Sequence, residues 1–148
     1  PARLQKLPAP DQENELWLDG GHNEDAGRAI TAQAGLWQKT DPKPLHLILG
    51  MMLHKDVKTF LAPLLPFLKS ITVVNIPDEP HSMTATTLKK RIKSLSTSLE
   101  IMRAPNWSTA CKQINEQNSD KKRILIAGSL YLAGHVLKDI ENNSHNNT

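Results

Sequence analysis

The sequence predicts a Rossmann-like α/β sandwich, a mostly parallel sheet of roughly five to six strands with helices on both faces. Three observations predict it. Short apolar runs alternate with amphipathic stretches along most of the chain. The runs are continuously apolar, as strands covered on both faces are. Glycines follow three of them (Gly20, Gly50 and Gly128), where loops to helices should begin. Strand–helix alternation of this kind implies right-handed crossovers and parallel pairing.

The elements follow in order. Glu15-Leu16-Trp17-Leu18 reads as a strand ending at Asp19-Gly20-Gly21. Asn23 is placed to cap a helix whose first turn carries Glu24 and Asp25, where negative charge is favourable. Ala26, Ile30, Ala34 and Trp37 recur at helical spacing and form its inward face. Asp41-Pro42-Lys43-Pro44 breaks the chain before a strand at Leu45-His46-Leu47-Ile48-Leu49. A helix is expected from Lys55, and Pro63 and Pro66 divide or kink it. Ile71-Thr72-Val73-Val74 is a β-branched strand. Residues 84–95 read as a helix, 99–102 as a strand, 107–117 as a helix, 123–127 as a strand and 130–140 as a helix. Residues 1–140 are expected to form one domain. The polar, asparagine-rich residues 141–148 are expected to be a disordered tail.

Composition excludes several classes. A net charge of +3 with scattered basic residues is not a nucleic-acid footprint, and only 4% of residues are aromatic. Lys89, Lys90, Arg91 and Lys93 read as a solvated helix face, and Lys121, Lys122 and Arg123 as a loop before a strand. Cys111 is the one cysteine, so no internal disulfide framework exists and a small buried residue is expected. No apolar run approaches the ~20 residues of a membrane span. No signal-peptide pattern stands at residue 1. The expectation is a soluble, cytoplasmic chain with no nucleic-acid or membrane partner.

In such sheets ligands bind beyond the carboxyl ends of the strands. That rule brings Asp19-Gly20-Gly21-His22-Asn23, the segment from Gly50 to Asp56, and Gly128-Ser129 to one rim. The dinucleotide-binding, P-loop, zinc-protease and nucleophile-elbow motifs are all absent. No set of paired cysteines or clustered histidines suggests a metal site, and none is assigned. A free-standing kinase, dehydrogenase or hydrolase is therefore unsupported.

The rim segments carry a resemblance. Asp19-Gly20-Gly21-His22-Asn23-Glu24-Asp25-Ala26 resembles the D-G-A-H-N-P-x-A segment of the folylpolyglutamate and dihydrofolate synthases. Gly50-Met51-Met52-Leu53-His54-Lys55-Asp56 is similar to their G-x-x-x-D-K-D, and Gly128-Ser129-Leu130-Tyr131-Leu132-Ala133-Gly134 to their G-S-L-Y-L-x-G. Arg3-Leu4-Gln5 resembles the P-G-R-x-Q that opens their C-terminal domain. The closing segment argues against a sibling muramyl peptide ligase. Departures are Ala2 for glycine, Gly21 for alanine, Glu24 for proline and His54 for aspartate. His81-Ser82-Met83 stands where an arginine often follows a strand.

The resemblance implies an ATP-dependent ligase that joins glutamate to dihydropteroate or to a folate's glutamate through an acyl phosphate. It implies ATP and Mg2+ as cofactors, with P-loop and magnesium ligands on an N-terminal domain roughly 270 residues long that this sequence lacks. By position, Arg3 would contact ATP phosphates, Asp19 the ribose, and Asn23 the nucleotide side of the cleft. His22, Lys55 and Ser129 would be catalytic, with Lys55, Asp56 and Ser129 holding the glutamate. The partners implied are that N-terminal domain, ATP, L-glutamate and dihydropteroate or folate. The chain by itself is expected to be inactive. A non-catalytic nucleotide-binding or interaction module with a flavodoxin-like sheet is the competing reading, since fold does not fix function.

Overall fold

The computed structural model describes residues 3–9, 13–95 and 98–146. Its sheet has six strands in the order β1 (Gln5–Leu7), β2 (Glu15–Leu18), β6 (Arg123–Ala127), β3 (Leu45–Leu49), β4 (Ser70–Val74) and β5 (Ile101–Ala104). All neighbours pair parallel except β1, which runs antiparallel along β2 with Gln5 opposite Leu18. The segment around Arg3-Leu4-Gln5 thus leads into an edge strand.

Helices cover both faces. On one lie α1 (Glu24–Thr40), α2 (Val57–Leu61) and α3 (Ala85–Lys93), and on the other α4 (Trp107–Asn115) and α5 (Leu130–Asn146). The alternation of strand side chains divides the core accordingly. Leu47 and Leu49 join Ile30, Phe60 and Leu88 in one cluster, while Ile48 packs with Ile126, Ile114 and Val136 in the other. Leu47, Ile48 and Leu49 are fully buried, and each contributes roughly 1.5–3 kcal/mol of burial. That is why β3 reads as an unbroken apolar run.

Local signals act as their chemistry requires. Asn23, Asp56, Thr84 and Asn106 each accept a backbone N–H at the start of a helix. The prolines after Lys55 end α2 at Leu61, and the chain continues as the 3-10 turn Leu65–Phe67.

Three expectations need correction. Residues 141–146 extend α5 where disorder was expected. No glycine or proline follows Gly134 to stop the helix, and its polar, exposed end takes no core position. Residues 147–148 lie outside the described residues. Lys122 and Arg123, read as loop charges in water, are each 1% exposed. Lys122 Nζ donates to the carbonyls of Asn118 and Asp120, and Arg123 has two carboxylate partners. Buried cations persist when they are paired or hydrogen-bonded. Finally, β5 begins at Ile101, because pairing with Ile71 on β4 sets its register.

Candidate functional site

The rim is built by extending the sheet's own hydrogen bonds. Asp19 N–H donates to Ile126 O (2.9 Å) and Gly50 N–H to Ala127 O (3.3 Å), which holds the loops after β2 and β3 against the end of β6. From β2 and β3 the chain passes to α1 and α2 on one face. From β6 it passes to α5 on the other. The loops part at that reversal and open a crevice beside β6.

Gly128 makes the exit from β6 possible. Its φ is +109°, and a Cβ there would stand 2.5 Å from the carbonyl oxygen of Gly50. The tight turn sets Ser129, 1% exposed, at the head of α5. Its Oγ accepts the N–H groups of Tyr131 (3.1 Å) and Leu132 (3.3 Å), leaving the hydroxyl proton free to donate.

Three clefts border the loop 19–23: one of 460 Å³ lies between β1 and the start of α5, lined by Arg3, Leu18, Gly20 and Leu130, and the other two gather most of the expected site residues. The larger of these two, 560 Å³, is lined by Arg3, Asp19, Gly21 and Asn23 together with the first turns of α1. Asp19 Oδ1 accepts Gly21 N–H at 2.7 Å. A Cβ on Gly21 would meet Ala26 Cβ at 2.3 Å and Asp19 Oδ1 at 2.9 Å, so this closed loop requires glycine where the related pattern has alanine. Burial raises the Asp19 carboxyl above its usual range, opposed by the amides of Gly21 and Leu4 and the charge of Arg3. Asn23 faces the cleft with its Oδ1 committed to Ala26 N–H (2.9 Å).

The smaller cleft, 230 Å³, gathers His22, His54, Lys55, Ser129 and Tyr131 over Met52 and Leu130. Burial lowers the His22 imidazole below its ordinary value, and the charge of Lys55, then that of His54, lowers it further. Its Nδ1 is sealed from water and has no well-formed hydrogen bond, only a marginal contact with the backbone of His22 itself. A neutral ring that offers a donor or acceptor, not a charge, is the consequence.

The sequence-derived site residues are therefore sorted by geometry. Arg3, Asp19 and Asn23 meet in one cleft, and His22, Lys55 and Ser129 in the other. Asp56 lies in neither. Its carboxylate accepts Thr59 N–H (3.1 Å) and Thr59 Oγ1–H (2.6 Å), which caps α2 and holds it below the usual carboxylate range. His54 and Tyr131 line the smaller cleft without having been anticipated. Tyr131 is 52% exposed, because it sits in the first turn of α5 facing away from the core. For His54 the available signal was its place immediately before Lys55.

Among the described residues, no group of three or more His, Cys, Asp or Glu side chains could hold a metal ion, and no helix is long and apolar enough to cross a membrane.

With this geometry described, comparison with known proteins identifies the family. The model of the dihydrofolate synthetase C-terminal domain matches residues 3–139. The chain belongs to that family. No curated protein matches its sequence at a significant level. Among solved structures, E. coli FolC in complex with ADP is similar with a TM-score of 0.78 at 18% identity, covering 98% of this domain and 32% of that chain. Bifunctional folylpolyglutamate synthase/dihydrofolate synthase from Yersinia pestis, complexed with AMPPNP and Mn ion, has a TM-score of 0.76 at 19% identity, covering 95% and 31%. Mycobacterium tuberculosis folylpolyglutamate synthase complexed with ADP has 0.75 at 23%, covering 93% and 32%. At these identities the likeness concerns the fold, and the domain spans about a third of each of those chains.

Proposed function

We propose that this domain is the C-terminal part of a longer cytoplasmic ATP-dependent ligase that adds L-glutamate to dihydropteroate, to a folylpolyglutamate, or to both, through an acyl phosphate. The observation that carries the reading is the convergence of His22, Lys55 and Ser129 in one cleft, joined by the loop 19–23 to a second cleft holding Arg3 and Asp19. A non-catalytic binding module has no need of this pairing.

The chemistry of the larger cleft fits a nucleotide. A guanidinium at Arg3 suits phosphate oxygens, and the Asp19 carboxylate, with one oxygen used by Gly21, retains acceptor capacity for a ribose hydroxyl. Asn23 chiefly shapes the loop. ATP, when bound, supplies the phosphoryl group that activates the acceptor carboxylate. In the smaller cleft the Lys55 ammonium and the Ser129 O–H hold a glutamate carboxylate. The neutral His22 ring orients the incoming amine by hydrogen bonding. Positioning of this kind lowers the barrier by removing the entropy of encounter. The described residues do not fit a magnesium site, so no step of this domain passes through the metal, which belongs to an N-terminal P-loop domain. Closure of that domain over the rim excludes water from the acyl phosphate, and this domain in isolation is expected to be inactive.

Steady-state kinetics of the full-length enzyme tests the reading. Asp19→Asn keeps an acceptor for Gly21 N–H while removing the charge. It is expected to raise KM for ATP about tenfold with no change in melting temperature. An unaltered KM would remove Asp19 from the nucleotide site.

A further inference from the structure

The smaller cleft sets the Lys55 ammonium beside two imidazoles, those of His22 and His54, and none of its lining residues is acidic. His54 and Lys55 lie on the same turn. That turn is built to hold them still. Lys55 N–H closes it on Met52 O (3.2 Å), which sets residue 54 at the apex. Leu53 N–H is bonded to His81 O (2.7 Å) and Met83 N–H to Met51 O (2.9 Å), and Met52 bridges Ser82. The turn's backbone is thus fastened to the neighbouring loop 81–83. Side chains held on a fastened backbone lose less entropy when they bind.

Counting donors against a ligand's needs gives the class. One carboxylate is satisfied by the Lys55 ammonium and the single free O–H of Ser129. The Tyr131 phenol, at the head of α5, and His54 are then left over; His54 lies within electrostatic reach of His22 and next to Lys55 on the same turn. A monocarboxylic ligand would leave it unused, and a second carboxylate on the same ligand would meet it.

We infer that His54 is the residue that selects for the second carboxylate, pairing with one acid group of a dicarboxylic amino acid while Lys55 and Ser129 hold the other. The inference rests on the ligase reading for the identity of that amino acid, but the pairing itself is a property of the cleft.

The test uses calorimetric titration of the full-length protein with glutarate and with its monoamide, which has the same length and one charge fewer. Wild type is expected to bind glutarate about tenfold tighter than the monoamide. His54→Gln should bring the ratio close to one by weakening glutarate alone, and His54→Lys should restore it. Because His54 is exposed, all variants are expected to melt as wild type does. A ratio that survives in His54→Gln, equal weakening of both ligands, or no preference in wild type would each overturn the assignment. A retained glutarate preference in a protein without glutamate-dependent ATP turnover would instead support His54 and reject the ligase.

Discussion

The two ends of the strands contrast in how they treat charge. At the amino ends, Arg123 Nη2 meets Glu15 Oε2 and Asp41 Oδ2, both at 3.0 Å, and its Nη1 donates to Asp41 O (3.0 Å). The same guanidinium lies 4.6 Å over the Trp37 ring, which packs against Trp17, and Lys43 links Glu15 (2.7 Å) to Asp41 (2.8 Å). Burial alone would raise Glu15, but hydrogen bonds from Lys43 and Arg123 outweigh it and hold the carboxyl at about 2. A 380 Å³ cavity opens beside this network, yet the Arg123 on its wall commits four of its five N–H donors within the fold. At the carboxyl ends the case is reversed: Lys55 and His54 face a cleft with no carboxylate, and His22 Nδ1 is buried without a well-formed bond. Dense pairing marks the end that stabilises the fold. Incomplete pairing marks the end to which the proposed function assigns a ligand.

The largest effect expected from this contrast is on stability. Arg123→Met removes the hub of the buried network and should cost about 3 kcal/mol in urea unfolding, because Glu15 is left under-compensated. Lys55→Met at the rim should leave the unfolding midpoint almost unchanged. Comparable losses from both would abolish the distinction between the two ends.

Acid sensitivity should come next. His46 on β3 is buried, its Nδ1 2.7 Å from Ser70 Oγ. Burial lowers it from 6.5 to about 4, with the charges of Lys122 and Lys69 adding to the effect. The unfolded chain therefore takes up a proton first as pH falls below 6.5, and stability is lost progressively until the folded ring also titrates near 4. Between pH 6.5 and 5 this amounts to about 2 kcal/mol, which His46→Gln should abolish when unfolding is measured at both values. Glu15 adds a later loss, because its stabilisation is complete above its ordinary 4.5 and fades towards 2. A wild type and variant with the same pH slope would show that His46 is not the sensor.

The smallest effect separates capping from binding within the rim itself. Asn23→Ala should cost about 1 kcal/mol through the lost bond to Ala26 N–H, and Asn23→Ser, also a good cap, should recover it. If Asn23 only shapes the loop, KM for ATP in the full-length enzyme will follow the cap. A KM raised equally by both substitutions would give the side chain a direct nucleotide contact.

Much of the fold was legible because its signals are local. Continuous apolar runs at 45–49 and 123–127 require cover on both faces, Asn23 supplies a cap, and Pro63 and Pro66 limit α2. The edge strand β1 was not legible. Three residues of mixed burial carry too little periodicity, and the antiparallel partners that make Gln5–Leu7 a strand, Leu18 to Leu16, lie beyond an intervening segment of the chain. The burial of Lys122 and Arg123 was hidden for the same kind of reason, since their carbonyl and carboxylate partners come from other segments as well as their own. At the site, His22, Lys55 and Ser129 could be named from the rim rule and the family resemblance. Asp56, expected from the resemblance to hold the glutamate, caps α2 and lines neither cleft; the sequence could not separate the two uses, because either needs the same carboxylate at a helix start.

The sequence by itself determined the α/β class, the order of elements, most helix starts and the family, because strand periodicity, capping and turn chemistry are properties of neighbouring residues. The tertiary structure alone decided that β6 inserts between β2 and β3, and so brought residues 19–23, 50–56 and 128–131 together. Strand order depends on contacts between residues far apart in the chain. It therefore also decided which charges found partners within the fold and which were left facing a cleft.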